Sequence, residues 1–191
     1  MDTKRIFIAI DISDEARSAI SEYIVALKSR FHDGVRWEHV EKLHLTVKFI
    51  GKTDGETVNK LIAGLSKIAL SHSAFDLTLS GTGAFPSAKN ARVLWIGIVQ
   101  SSMLQKLYTA VEDACFAAGF PRESRAFSPH LTIARITDVH RANELTREHL
   151  SLAFGPISFR VPRIVIYESK LLPSGSVYSV LSTHQLKTDS L

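Results

Sequence analysis

The chain has one cysteine, two methionines and two tryptophans in 191 residues. A lone thiol closes no intramolecular disulfide, and Cys115 has no Cys-x-x-Cys partner with which to hold zinc. A reducing, cytoplasmic setting is expected. Long hydrophobic runs are missing too. The apolar run at 6–10 is too short for a secretory core and flows into Asp11, so no leader peptide is expected. No stretch approaches the length of a membrane span. The formal charge is +4, but no dense basic stretch is present. That balance mildly favours an anionic partner and does not by itself argue for nucleic acid. Gly81-Thr82-Gly83 is followed by no helical pattern and by no Gly-Lys-Ser/Thr, so these glycines are not a phosphate loop. No Gly-x-Ser-x-Gly elbow supports a serine hydrolase.

What is present is a short stretch that occurs twice. His44-Leu45-Thr46-Val47 and His130-Leu131-Thr132-Ile133 both read His-Leu-Thr followed by a β-branched residue. Composition alone predicts about 0.05 copies of His-Leu-Thr, so internal duplication is the better explanation. Alternate side chains of a strand face opposite ways. Leu43, Leu45, Val47 and Phe49 therefore share a core face, and His44, Thr46 and Lys48 share the other. In the second copy Leu131 and Ile133 oppose His130 and Thr132.

The surrounding pattern repeats as well. Strand character at 5–11 leads to a helix over about 14–31, opened by Ser13-Asp14-Glu15. A short extended piece at 35–37 precedes the first His-x-Thr strand, about 43–50. A second helix, from Asp54 to about Ser71, and a strand at 75–79 follow. The glycines at 81 and 83 are expected to break that strand, and the polar loop 87–91 is taken as the boundary between halves. The pattern then restarts: strand 92–99, helix 101–118, second His-x-Thr strand 127–135, a short helix about 141–150, a long strand-rich stretch at 157–169 interrupted at Pro162, and a last strand at 177–182. The tail from about Lys187 is expected to be loose. His44 and His130 lie 86 residues apart, and Arg5 and Arg92 lie 87 apart. One domain of two pseudo-symmetric halves, about 1–88 and 89–191, is expected. A duplicated unit commonly packs about a pseudo-twofold axis, which would set the two His-x-Thr faces opposite each other across one cleft.

Two imidazoles across a cleft make a general acid and a general base near neutral pH. Two neighbouring hydroxyls can donate to the nonbridging oxygens of a phosphate. That set suits in-line displacement at phosphorus, and a strained cyclic phosphodiester needs no metal. Two histidines without a third ligand leave a metal site incomplete, so neither metal nor other cofactor is expected. Lys48 can meet phosphate or stay solvated. Arg92 and Trp95 read as structural. His32, His39, His72, His140, His149 and His184 lie outside any repeated context and read as surface or core residues.

These motifs resemble the paired His-x-Thr signature of the 2H phosphoesterase superfamily, and within it most resemble the RNA 2′,3′-cyclic phosphodiesterases once named 2′-5′ RNA ligases. The likeness spans 5–10, 44–51, 92–97, 127–135 and the closing Tyr167-Glu168-Ser169-Lys170-Leu171 with Gly175. It implies a bilobal α+β fold of duplicated βαβαβ type, with two antiparallel-rich sheets facing a central cleft and helices outside. It implies metal-independent opening of a 2′,3′-cyclic phosphate at RNA ends, tRNA fragments among them, to a 2′-phosphate. A monomer with no membrane partner is expected. By position, His44 and His130 are the acid/base pair, and Thr46 and Thr132 hold the phosphate. Arg135 resembles an arginine that neutralises the substrate, and Phe7 an aromatic near the base. Strict alternation puts Arg135 opposite His130 and Thr132, so it reaches the cleft only if the strand ends or bulges. Phe7 can equally be a packing ring. A small cyclic nucleotide or ADP-ribose cyclic phosphate as substrate, and a non-catalytic RNA-end-binding module, are the alternatives.

Overall fold

The computed structural model describes residues 3–173 and 175–188. The chain runs β1 (Lys4–Asp11), α1 (Asp14–Lys28), β2 (Val35–Trp37), a single 3₁₀ turn at Val40–Lys42, β3 (His44–Thr53), α2 (Gly55–Ala69) and β4 (Phe75–Phe85). It continues through β5 (Val93–Ile98), α3 (Ser102–Ala117), β6 (His130–Ile136), α4 (Asn143–Ser151), β7 (Ile157–Val161), β8 (Arg163–Leu172) and β9 (Gly175–Gln185). Side-chain oxygens cap three of the helices. Ser13 Oγ accepts from the Ala16 amide at 3.2 Å, Asp54 Oδ1 from Thr57 at 2.8 Å and Ser101 Oγ from Leu104 at 3.4 Å. Each satisfies one amide that the first helical turn leaves unpaired.

Two antiparallel sheets form, in the orders β3-β1-β8-β9 and β2-β6-β5-β4-β7. Each half of the sequence supplies strands to both. The first sheet takes β1 and β3 from the first half and β8 and β9 from the second. The other takes β2 and β4 from the first half and β5, β6 and β7 from the second. The fold is α+β, with α2 across β8 and β9 and against α3, α1 against β7 and α4 against β4. Ile6, Ile8 and Ile10 of β1 are fully buried, as are Leu94 and Ile96 of β5. These rows meet the apolar stripes of the helices, such as Leu61 and Leu65 of α2 and Leu107 and Val111 of α3. Cys115 lies in this core, where burial pushes its thiol up to about 12 and keeps it unreactive.

Several boundaries differ from the sequence reading. β4 does not stop at the glycines but runs on to Phe85 through an irregularity between Leu79 and Thr82. Gly81 there takes φ +78°, and the Trp95 ring lies where a Cβ on Gly83 would be, 2.0 Å from its Cζ2. The glycines thus carry a bent strand under an indole rather than ending it. β9 is longer than expected because all of β8 pairs with it. In the tail, Lys187 is tied down, its carbonyl accepting from the Ala74 amide at 2.7 Å and its amide donating to His72 O at 2.9 Å, while residues 189–191 lie outside the described residues.

Candidate active site

Two bulges, 86 residues apart like the motifs themselves, shape the site. On β1, Ala9 pairs with Thr46 but Ile8 pairs with Lys48, which leaves Val47 as an extra residue in β3. On β5, Trp95 pairs with Thr132 but Leu94 pairs with Ala134, which leaves Ile133 extra in β6. One inserted residue reverses the facing of everything beyond it. Arg135 therefore comes round to the face of His130 and Thr132.

The equivalent slip in β3 overturns two expectations. Phe49 leaves the core face for the cleft and is 51% exposed. Lys48 leaves the His44 face and meets Glu112 of α3, Nζ to Oε1 at 2.7 Å. It also donates to Pro121 O at 3.0 Å. Phosphate is out of its reach in this position.

A cleft of about 280 Å³ has both motifs in its walls: His44, Thr46, His130 and Thr132 line it together, with Phe49, Arg5, Lys42, Glu38, Arg135 and Tyr178. The two imidazoles are held alike. His44 Nδ1 lies 2.7 Å from Lys42 O, and His130 Nδ1 lies 2.7 Å from Ser128 O. A carbonyl oxygen only accepts, so each Nδ1 carries a proton and donates it two residues upstream. Each Nε2 is then the nitrogen left to exchange a proton.

Aromatic rings hold both imidazoles. Phe7 stacks on His44 with centroids 4.7 Å apart, and Tyr178 meets it edge-on at 5.5 Å. Phe85 meets His130 edge-on at 4.9 Å, with Trp95 at 6.1 Å. Phe7 is only 3% exposed and its ring backs the imidazole while still bordering the cleft; Phe49 is the more exposed aromatic there. Burial holds the His44 pKa below its ordinary value, against the opposing pull of its bond to Lys42 O and of the Asp11 and Glu38 carboxylates.

Three cations, Arg5, Lys42 and Arg135, line the cleft against one carboxylate, Glu38. Arg5 lies over the Phe49 ring at 4.6 Å and donates to Ser169 Oγ at 3.1 Å. Arg135 Nε donates to Glu38 Oε1 at 2.9 Å, and Lys42 Nζ to Ser176 O at 2.7 Å. Sequence reasoning singled out neither Phe49 nor these partners. They arrive by a bulge or by pairing between distant segments, and neither leaves a local pattern. Among the described residues, no three His, Cys, Asp or Glu side chains come together as a metal site.

His149 of α4 proves to be a buried strut. Its Nδ1 accepts from the Tyr23 hydroxyl at 2.9 Å, and its Nε2–H faces Gly83 O at 3.1 Å and Trp95 O at 3.2 Å. It thereby clamps the two strands that present Phe85 and Trp95 to His130. Burial lowers its pKa, outweighing the two carbonyl contacts. An unfolded chain takes up that proton near pH 6.5 while the folded one still refuses it. Stability is therefore complete above pH 6.5 and falls as pH drops below it, by at most about 1.4 kcal/mol per pH unit for one such group. His44 and His184, also lowered by burial, pull the same way. Thermal melts should show Tm falling from pH 6.5 to 5, less steeply in His149→Gln. Equal slopes for the two proteins would contradict this role.

The chain matches the family model described as the 2′-5′ RNA ligase superfamily over residues 16–171. It is 34% identical over 177 residues to an RNA 2′,3′-cyclic phosphodiesterase of Thermotoga maritima, covering 93% of this chain and 92% of that one. A protein of the same name from Methanocaldococcus jannaschii is 29% identical over 93% of this chain and 98% of its own length. Among solved structures, TT0787 of Thermus thermophilus superposes with a TM-score of 0.81 at 25% identity, over 97% of this chain and all of the other. LigT of E. coli in complex with 3′-AMP gives a TM-score of 0.77 at 23% identity, over 97% of this chain and 99% of its own, a likeness of fold. No helix among the described residues is long and apolar enough to cross a membrane. The paired motifs, the two sheets and the match over most of the length agree: the chain belongs to the 2′-5′ RNA ligase superfamily of 2H phosphoesterases.

Proposed function

We propose that this protein is a phosphoric diester hydrolase that opens the 2′,3′-cyclic phosphate at RNA ends and leaves a 2′-phosphomonoester. One observation carries the reading. Two His-x-Thr faces line a single cleft, and each imidazole has its Nδ1 committed to a backbone carbonyl.

His44 is assigned as the base, because burial keeps its imidazole neutral at neutral pH. Its Nε2 takes a proton from water as the water oxygen bonds to phosphorus. The bond from phosphorus to O3′ breaks, and His130 Nε2 delivers a proton to that leaving oxygen. Thr46 and Thr132 donate to the nonbridging oxygens, and Arg135 offsets their charge. Phe49 offers its exposed face to the terminal base. The chemistry asks nothing of a metal ion, and the protein is expected to work as a cytoplasmic monomer.

The test is an oligoribonucleotide ending in a 2′,3′-cyclic phosphate, incubated with chelator in excess. Turnover to a 2′-phosphate, unchanged by chelator, is expected. Tight binding without turnover, or loss of activity that added metal restores, would overturn the mechanism. Thr46→Ala and Thr132→Ala should each lower kcat by about 10- to 10³-fold, the scale of losing one donor to a developing anion. Kinetics at saturating substrate check this, and a change in KM alone would argue against the role.

A further inference from the structure

Beside the cleft lies a second groove of about 470 Å³. Glu38, Lys42, Arg135 and Tyr178 border both, so the two spaces adjoin at the Arg135–Glu38 pair. One wall of the groove is β2 and the 3₁₀ turn, with Arg36, Trp37 and His39. The other is the end of β8 and the start of β9, with Leu171 and Leu172 at 68% and 50% exposure.

The charge in this groove is placed against the protein's own interest. Arg36 stands directly opposite Arg135 where β2 pairs with β6. Like charges facing each other across a sheet cost stability. Glu38 answers Arg135, but among the described residues the Arg36 guanidinium has no ion-pair or hydrogen-bond partner. Beside it, Trp37 is half-buried, packed against the core while its exposed part lines the groove. A fixed aromatic beside an unanswered cation is the arrangement that holds single-stranded nucleic acid, the ring stacking a base and the cation meeting the backbone.

Resting on the proposed function, we infer that this groove holds the RNA strand upstream of the cyclic end. Arg36 meets a phosphate, and Trp37 stacks a base 5′ of the terminal nucleotide. A cyclic mononucleotide fills only the cleft. The preferred substrate is therefore an RNA chain, not a free nucleotide.

Two measurements test this. The first compares kcat/KM on a 2′,3′-cyclic mononucleotide with that on oligoribonucleotides of two, four and eight residues bearing the same end. The second measures equilibrium binding of the matching 2′-phosphorylated mononucleotide and oligomers, which needs no turnover. The wild type should gain in both up to a few nucleotides and then level off. Trp37→Leu, which keeps an apolar side chain against the core, should lose about 5- to 150-fold on the oligomers, the scale of one stacked base. Arg36→Ala, at an exposed position, should weaken oligomer binding and reduce the slope of log affinity against log salt by about 0.7, one phosphate contact's share. Neither should change kcat/KM on the mononucleotide. Equal wild-type affinity for mononucleotide and oligomer would overturn the groove, as would equal losses on both substrates in the variants. So would displacement of the oligomer by polyglutamate of matched charge. If oligomers bind through Arg36 and Trp37 yet no cyclic end is opened, the groove stands and the catalytic reading fails.

Discussion

Alanine at His44 or at His130 lowers kcat on a cyclic-phosphate RNA end by about 10²- to 10⁴-fold or more, the range of a lost general acid or base. Both losses are expected because the two imidazoles do different halves of one proton balance. Without the base the water oxygen attacks weakly, and without the acid O3′ leaves as an alkoxide. Each ring is held on one nitrogen by a carbonyl two residues upstream, so neither can stand in for the other. The effects should not add in the double variant, since the groups act in one step. The pH profiles separate their roles. The acid-side limb of kcat/KM should lie below pH 6.5, because the base form of His44 persists to a lower pH than in an ordinary histidine. That limb should be absent in His44→Ala. Near-normal activity in either single variant, with the fold intact by circular dichroism, would refute the pairing.

Replacing Lys48 by methionine should cost stability on the scale of about 3–5 kcal/mol, as removing one partner of a buried ion pair does. The side chains of Lys48 and Glu112 are 10% and 6% exposed. The pair joins β3 to α3. Glu112 Oε2 also accepts from the Glu123 amide at 2.9 Å, and Lys48 donates to Pro121 O. Methionine matches the lysine stem but leaves a buried carboxylate without its cation. Lys48→Met with Glu112→Leu should recover most of the loss, because removing both charges removes the desolvation cost as well. Chemical denaturation of the three proteins checks this. A single variant within about 1 kcal/mol of wild type, or a double variant no better than the single, would contradict the account.

The site was legible in the sequence to the extent that it obeys period-two alternation. His44 and Thr46 share a face, as do His130 and Thr132, and both faces line one cleft. Alternation failed one residue later in both copies. Leu45-Thr46-Val47-Lys48-Phe49 reads as an unbroken strand, and nothing in it announces that Val47 is squeezed out of register. The bulge is decided by pairing with β1, a partner more than thirty residues away. It moved Phe49 out to the cleft and sent Lys48 inward to Glu112, and the matching bulge at Ile133, decided by pairing with β5, brought Arg135 round to its histidine. The glycines of β4 misled for the opposite reason. Their freedom served a bend under Trp95, where local chemistry suggested an end. Arg36 was invisible as a site residue because its meaning comes from standing opposite Arg135 across two elements remote in sequence.

The most direct measurement is a crystal structure of the protein with a nucleoside 2′-monophosphate, the product of the proposed reaction. The account predicts one phosphate in the cleft, with Nε2 of both His44 and His130 within about 3.2 Å of its oxygens or of the ribose O3′. The two threonine hydroxyls should donate to the remaining oxygens. A phosphate engaged by only one of the two imidazoles, or seated outside the cleft, would contradict it.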